Sequence, residues 1–315
     1  VEYFIEPIIN HIKGFKNIII IPDASLSFIP FETIKMPNNR MLIDDYNISY
    51  MPSLNLINII KNNQKATKNL LAFGGAVYTN ENEDIIKDTR KINGTEINLN
   101  DKIQDQYRYF SNLPESLREV IEIGKIFYQN DESKINKYII TGQDVNKTNI
   151  KRMNAEKYLN DFSIIHFATH GIFDIENPDL SSIFLSNPNL IDVDSDDDGS
   201  LTLMDIMSLD LSSEIVILSA CETALGKIVH GEGVIGLINS FFTAGSKNVI
   251  ASLWQVNDES TRIFMTELYK LVIKGIDINE AIATVKRNFI SGMYSEEYKK
   301  QFYWAPFVLY GIFLN

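Results

Sequence analysis

The residues best suited to covalent chemistry are a cysteine and a histidine that each follow a run of apolar residues. Cys221 is the only cysteine among 315 residues and stands in the segment 219-SACET-223. His170 lies in the segment 166-HFATHG-171. An imidazole close to a thiol promotes the thiolate, the nucleophilic form of cysteine, and can then protonate a departing amine. These two segments therefore indicate attack of a thiolate on a carbonyl group.

Two strands must bring these residues together. The segments 162–168 and 215–218 are apolar on both faces, as in strands of a parallel sheet that helices cover on both sides. Sites in such sheets form beyond the carboxyl ends of the strands, and neighbouring strands lie roughly 5 Å apart. If the two strands are neighbours, we expect His170 and Cys221 to face each other. The backbone amides of Gly171 and Cys221 are then candidates for an oxyanion hole.

The rest of the chain predicts further elements of an α/β fold. Strands are expected at 69–78, 138–142, 248–254 and 304–311, and a strand, a turn and a second short strand within 17–34. A strand followed by a helix is expected within 47–62, and further helices at 114–127, 146–159, 232–245, 259–273 and from Asn279 onward. The polar stretch 79–105 has no apolar period and is interpreted as a mobile or disordered loop.

Each reactive residue also has a structural interpretation. A lone cysteine after an apolar strand is often a buried, inert hydrophobic residue, and His166, inside its strand, is predicted to be structural. The joint occurrence of His170 and Cys221 at two strand ends, each beside a small residue, favours the catalytic interpretation.

An acidic loop offers a second kind of chemistry. The run 194-DSDDDGSLTLMD-205 partly matches a calcium-binding EF-hand loop, with Asp194, Asp196, Asp198 and Asp205 as candidate ligands. Position 12 of that loop is usually glutamate, and the residues before the run do not look helical. A solvated acidic loop before a helix near Thr202 is favoured, and calcium is the alternative. No other cofactor is predicted.

Composition excludes several functional classes. A net charge of −12 argues against direct binding of nucleic acid through a basic face. The longest apolar runs are far shorter than the roughly 20 residues that span a bilayer, so no membrane segment is expected. One cysteine forms no internal disulfide, which fits a reducing cytoplasm.

Several motifs together resemble the CHAT domain. They are HFATHG, DDGSLTLMDIMSLDL, LSACETALG, GEGVIGLINSFFTAGSKNVIASLWQVND and WAPFVLYG, in this order between residues 137 and 311. The N-terminal segments IPDASLSFIPFETI and AFGGAVY also resemble the start of that domain. The CHAT family belongs with the caspase-like cysteine peptidases, whose caspase members also place the histidine about 50 residues before the cysteine. Here the separation is 51 residues.

The resemblance implies a caspase-hemoglobinase fold, with a mostly parallel sheet sandwiched between helices. It implies a cysteine endopeptidase that uses His170 and Cys221 as its dyad on a protein substrate. One CHAT domain would cover 1–315, with an N-terminal region at 1–110 and a catalytic core at 111–315, and would form the C-terminal portion of a longer chain. A CHAT-like scaffold that binds partners without cleaving them is the alternative.

The resemblance also implies partners and regulation. CHAT domains are often attached to tetratricopeptide repeats or other sensor modules, and members act in bacterial defence. We therefore expect a sensor module in the same chain or in a complex, and a weakly active isolated domain. The polar loops 79–105 and 186–200 are the segments expected to move on activation.

Four residues are candidates for the substrate pocket. Asp258, Asp174 and Glu222 are acidic, and an acidic pocket would select arginine or lysine before the scissile bond. Trp254 is the candidate for an apolar pocket instead. Asp258 and Asp174 each have a structural alternative in capping a helix or satisfying a loop.

Overall fold

The computed structural model describes residues 2–23, 26–27, 29–55, 69–79, 107, 110–172, 181–194, 197–219, 232–254 and 257–311. The helices in these ranges are α1 (Glu2–Ile12), α2 (Leu42–Asp45), α3 (Pro114–Phe127), α4 (Glu132–Tyr138), α5 (Lys147–Ala155), α6 (Leu203–Met207), α7 (Glu232–Ala244), α8 (Asp258–Ile273), α9 (Ile278–Ser291) and α10 (Gln301–Trp304). The strands are β1 (Asn17–Ile20), β2 (Asn47–Tyr50), β3 (Leu70–Gly74), β4 (Ile139–Thr141), β5 (Ile164–Ala168), β6 (His170–Ile172), β7 (Ser182–Phe184), β8 (Ser200–Thr202), β9 (Ile215–Leu218), β10 (Asn248–Ser252) and β11 (Phe307–Gly311).

Within the described residues, the central sheet has eight strands in the order β1-β2-β11-β10-β9-β5-β3-β4. Neighbouring strands run parallel except β10 and β11, which are antiparallel. The expected α/β fold with a mostly parallel sheet is therefore confirmed. The carboxyl ends of β3, β5, β9 and β10 lie at one edge of the sheet, whereas those of β1, β2 and β11 lie at the opposite edge.

Alternate residues of each strand pack on opposite faces of the sheet, and β5 shows why the strand is apolar throughout. Ile165 and Phe167 belong to the core cluster that includes α7, where Phe167 meets Phe241 at 6.0 Å between ring centroids. Ile164 and Ala168 belong to the cluster on the other face, which includes α3, α8 and α9. Each large side chain buried in this way contributes roughly 1.5–3 kcal/mol.

Helix α3 covers the end of β3. Pro114 occupies its first turn, where a missing N–H has no cost, and Val120 and Ile123 face the core. The fit against β3 is close: a Cβ on Gly74 would lie 2.7 Å from Cγ1 of Val120. Glycine at this position therefore sets the distance between β3 and α3.

A second, smaller sheet has the order β6-β7-β8 and is antiparallel. Its strands have three residues each, too few for sequence periodicity to detect. Its first residue is His170, which places the predicted reactive histidine at the junction of the two sheets.

Several sequence expectations are corrected. The second short strand expected within 17–34 is wrong, because Phe31–Thr33 form a 3-10 helix. Helix 146–159 ends at Ala155 and gives way to a 3-10 turn, Tyr158–Asp161. Helices α1 and α4 were not expected from the sequence. The helix expected after β2 and the loop expected at 79–105 fall mainly on 56–68 and 80–106, which lie outside the described residues.

Candidate active site

The two strands that carry the predicted reactive residues are neighbours. β5 and β9 are parallel, with Ile164 opposite Ile215 and Phe167 opposite Leu218. The pairing continues one residue further, because the Ser219 amide donates to the Phe167 carbonyl at 2.9 Å. Residues 169–170 and Ser219 therefore lie at the same edge of the sheet. Cys221 follows Ser219 by two residues in the sequence and lies outside the described residues, as does Glu222.

The imidazole of His170 is buried between two aromatic rings. The residue is 1% exposed. The Phe110 ring stacks on the imidazole with centroids 4.4 Å apart and planes 12° apart, and the Tyr78 ring packs edge-on at 4.4 Å and 68°. Aromatic contacts on two sides restrict rotation of the imidazole, so its ring nitrogens point in fixed directions.

One ring nitrogen of His170 is committed to the main chain. Nε2 lies 2.8 Å from the carbonyl oxygen of Ser111. A carbonyl oxygen only accepts hydrogen bonds, so Nε2 carries the proton in this contact. In the neutral imidazole the lone pair is then on Nδ1, which becomes the basic atom.

The main chain of His170 is also fixed. Its amide donates to the hydroxyl oxygen of Tyr78 at 3.0 Å, and that hydroxyl donates to the Phe184 carbonyl at 2.9 Å. His170 and Phe184 are paired residues of β6 and β7, and Gly171 pairs with Ile183. The Tyr78 hydroxyl thus contacts both residues of the pair His170 and Phe184.

Sequence reasoning missed Tyr78, Phe110 and Ser111. For Tyr78 the sequence contained an indication, because Tyr78 follows the apolar strand β3. This strand is parallel to β5, lies on the side of β5 away from β9, and ends at the same edge of the sheet. Nothing in the sequence indicates Ser111, whose contact uses a backbone carbonyl.

Comparison with known families is decisive for the identity of the fold. The family model described as the CHAT domain matches residues 1–312. The chain belongs to the CHAT domain family. A solved structure, the Arg-specific cysteine proteinase gingipain R, covers 97% of this CHAT domain and 66% of its own chain, with a TM-score of 0.53 and 9% identity. At that identity the match shows the fold alone, a mostly parallel sheet between helices.

Two curated relatives match a portion of the chain. Tetratricopeptide repeat protein 28 from Mus musculus is 27% identical over 111 residues, and the protein of that name from Homo sapiens is 28% identical over 111 residues. Each match covers 35% of this CHAT domain but 4% of the relative. The chain therefore spans a small fraction of the relatives that it matches.

His166, the other histidine of β5, is held inside the fold. Its Nε2 lies 2.8 Å from a carboxylate oxygen of Glu119 on α3, and its Nδ1 lies 3.2 Å from the hydroxyl of Tyr269 on α8. Burial is the largest cause that raises the pKa of Tyr269 well above its usual value, and the charge of Glu119 adds to it. This network ties both helices to β5, in agreement with the structural role predicted for His166.

Two of the pocket candidates are described, and both follow β10, the strand next to β9. Trp254 donates through Nε1 to the Phe302 carbonyl at 3.1 Å and is half-buried. Asp258 is the first residue of α8, whose N-cap is Asn257 rather than Asp258. Asp258 and Trp254 therefore lie near the edge that carries His170. Asp174 lies outside the described residues.

The acidic loop is bound to a buried lysine. Nζ of Lys147 on α5 lies 2.7 Å from Asp205 and 3.1 Å from Asp198, and the lysine is 4% exposed. Burial alone would lower the pKa of Lys147, but its contacts with Asp205 and Asp198 outweigh burial and raise the pKa. Asp197 accepts from the amide and hydroxyl of Thr148 at 2.8 and 2.9 Å.

These contacts bear on the calcium hypothesis. Two of its four candidate ligands, Asp198 and Asp205, are compensated by the Lys147 ammonium group, and Asp196 lies outside the described residues. Within the described ranges, no group of three or more His, Cys, Asp or Glu side chains is arranged to hold a metal ion. Calcium binding stays a prediction, and an ion would have to compete with the ammonium group for these carboxylates.

None of the helices in the described ranges is both long enough and apolar enough to cross a membrane.

Proposed function

We propose that this CHAT domain is a cysteine endopeptidase in which Cys221 is the nucleophile and His170 transfers the proton. The observation that carries the proposal is the position of His170. It follows β5, beside the end of the strand after which Cys221 is the third residue, and its Nε2 is already committed to Ser111.

Chain connectivity limits how far Cys221 can lie from this edge. Its Cα is two residues from that of Ser219, a separation of at most about 7 Å. Ser219 is hydrogen-bonded to β5 at Phe167, three residues before His170. A thiol from such a position can reach an imidazole on the neighbouring strand end.

The order of events follows from the histidine tautomer. With Nε2–H bound to the Ser111 carbonyl, Nδ1 is the atom that accepts the thiol proton. The thiolate attacks the peptide carbonyl carbon, a C–S bond forms, and the imidazolium gives its proton to the amine as the C–N bond breaks. Water then attacks the thioester carbonyl carbon while Nδ1 accepts its proton, the C–S bond breaks, and the imidazolium returns the proton to the thiolate, which regenerates the free thiol.

The oxyanion requires backbone donors. In an antiparallel pair, the N–H groups of successive residues point alternately toward and away from the partner strand. The His170 amide contacts the Tyr78 hydroxyl, which also binds the Phe184 carbonyl of β7, and from this alternation we infer that the Gly171 amide points to the outer side of β6. This supports the role of Gly171, together with the Cys221 amide, in holding the oxyanion.

Alkylation of the single cysteine gives a direct test. The rate of reaction with iodoacetamide is measured from pH 5 to 10 in the native chain, in His170→Ala and in His11→Ala, where His11 is an exposed histidine of α1. We expect the native chain and His11→Ala to react at a lower pH than His170→Ala, because an imidazolium stabilises the thiolate. Identical profiles for all three chains would contradict the dyad and favour a non-cleaving scaffold.

Cleavage itself is tested with a peptide library. Cys221→Ala and His170→Ala should abolish cleavage that the native chain performs. Undiminished cleavage by either variant would overturn the assignment of the dyad.

The proposal extends to the substrate. Gingipain R is an Arg-specific proteinase, and Asp258 begins the helix that follows β10 beside the site. We expect a protein substrate with arginine or lysine before the scissile bond. Asp258→Asn should lower kcat/KM for such peptides about tenfold or more, whereas Glu259→Gln, in the same helical turn, should not. Equal effects of the two changes would assign Asp258 to the helix rather than to the pocket, and leave Trp254 as the candidate for an apolar pocket.

The wider context also belongs to the proposal. The relatives that match are named as tetratricopeptide repeat proteins, which supports a repeat module that senses a signal and activates the peptidase. We place this regulated proteolysis in the cytoplasm and in defence. Joining the repeat module to the domain should raise its kcat/KM in the presence of the signal.

A further inference from the structure

The hydroxyl group of Tyr78 bridges two strands at the residue proposed to transfer the proton. It accepts from the His170 amide at 3.0 Å and donates to the Phe184 carbonyl at 2.9 Å. His170 and Phe184 are paired residues of β6 and β7. The hydroxyl therefore contacts both strands at this pair, and it fixes the His170 main chain relative to β7.

Tyr78 is itself fixed by the segment that holds the other side of His170. Its amide donates to Oδ1 of Asn112 at 2.8 Å, and Asn112 is next to Ser111, whose carbonyl binds Nε2 of His170. The Tyr78 ring also packs edge-on against Phe110 at 5.8 Å, and the residue is 1% exposed. The amide and the imidazole of His170 are thus positioned by one connected unit.

We infer that Tyr78 is a positioning residue for His170, whose hydroxyl fixes the His170 main chain and thereby the position of Nδ1. The inference rests on the proposed function of His170. Loss of the hydroxyl removes the contacts to the His170 amide and to the Phe184 carbonyl, so the His170 main chain can shift relative to β7. A displacement of about 1 Å at a catalytic group can lower a rate about 100-fold.

The matched control is Tyr107, a neighbour in the same aromatic cluster. It is 4% exposed, and its hydroxyl lies 3.0 Å from the Leu185 carbonyl and 2.5 Å from the Gly199 carbonyl. Neither acceptor belongs to β6. Tyr107→Phe therefore removes an equally buried hydroxyl and two contacts to carbonyls without touching the amide of His170.

The test compares iodoacetamide alkylation of Cys221 from pH 5 to 10 in the native chain, Tyr78→Phe, Tyr107→Phe and His170→Ala. At pH 6 we expect Tyr78→Phe to react about tenfold more slowly than the native chain, with its profile displaced toward that of His170→Ala. Tyr107→Phe should stay within about twofold of the native chain, although both tyrosine variants lose stability. Equal profiles for Tyr78→Phe and Tyr107→Phe would overturn the inference.

The outcomes separate this inference from the proposed function. If the native chain and His170→Ala have the same profile, the dyad fails. If those two differ and Tyr78→Phe matches the native chain, the dyad stands and only the role of Tyr78 fails.

A measurement on the native chain covers the case in which Tyr78→Phe does not fold. With 15N-labelled histidine, the His170 amide should exchange with solvent at least about 100-fold more slowly than the same amide in an unfolded chain. Exchange at the unfolded rate would show that the bond to Tyr78 is not held, and would overturn the inference.

Discussion

Nε2 of His166 and a carboxylate oxygen of Glu119 lie 2.8 Å apart in the interior, where these residues are 0% and 3% exposed. Removing one member of a buried hydrogen bond leaves the other unsatisfied, at a cost of about 1–3 kcal/mol. We expect Glu119→Ala to lower the free energy of unfolding by about that amount in urea denaturation.

The control for this prediction is on the same helix. Glu122 pairs with Arg262 at 2.8 Å, but its side chain is 39% exposed. A pair in contact with solvent contributes about 1 kcal/mol or less. Similar losses for Glu119→Ala and Glu122→Ala would contradict the interpretation of His166 and Glu119 as a buried anchor of α3.

Acid should weaken the loop that Lys147 holds. Burial acts to raise the pKa of Asp205, but hydrogen bonds from Lys147 and Thr202 outweigh it, and the pKa is lowered. The stability that Asp205 contributes is therefore present above the pKa of an unfolded aspartate, about 3.9, and is lost as the pH falls through the lower folded value. Asp205→Asn should show a shallower loss of stability below pH 4, measured by urea denaturation at each pH. If the free energy of unfolding falls equally steeply below pH 4 in the native chain and in Asp205→Asn, this role of Asp205 is excluded.

Alkali should destabilise the domain through its buried tyrosines. Burial is the main cause that raises the pKa of Tyr50, Tyr107 and Tyr269 well above the usual value. Between about pH 10 and these higher values the unfolded chain loses protons that the folded chain keeps, so stability falls as the pH rises. Absorbance of tyrosinate should therefore rise in two stages, the second together with the loss of circular dichroism. Ionisation of all tyrosines before any unfolding would contradict the burial of these three.

Two glycines should respond to alanine in opposite directions. In Gly74→Ala the new Cβ would meet Val120 Cγ1 at 2.7 Å and the Ser116 carbonyl at 2.8 Å, so β3 and α3 would have to separate. Overpacking of this kind costs typically about 1–3 kcal/mol.

In Gly236→Ala, inside α7, the atom nearest to the new Cβ is Leu203 Cδ1 at 3.4 Å. Alanine there should stabilise the chain by about 0.5–1 kcal/mol in thermal or urea denaturation, because glycine is a poor helix former. Stabilisation by both changes would show that the contact between β3 and α3 is loose.

Long, apolar elements could be predicted from the sequence. Helix α3 begins at Pro114 and ends at Phe127 as expected, because its apolar side chains recur at helical spacing between a first-turn proline and a polar segment. The strands β5 and β9 are also apolar throughout, and each carries this signal in its own residues. Their adjacency was a condition of the expected site rather than a prediction, and their register shows that it is met.

Features that depend on partners far along the chain could not be predicted. Lys147 is separated from Asp205 by 58 residues. The residues next to Lys147 in the sequence do not distinguish it from an ordinary exposed lysine. The same holds for the three-residue strands β6, β7 and β8, which become strands through pairing with one another. Tertiary contacts, rather than local preference, determine these elements.

The acceptor for Nε2 of His170 is a carbonyl oxygen of the backbone, not a side chain. Every amino acid supplies that oxygen, so a chain can change residue 111 over evolutionary time and keep the contact. Substituting the serine by alanine should accordingly leave the tautomer of the imidazole as it is. A protein engineer who wishes to alter the histidine must therefore move the loop that presents the carbonyl, by changing its length or its course between Phe110 and α3.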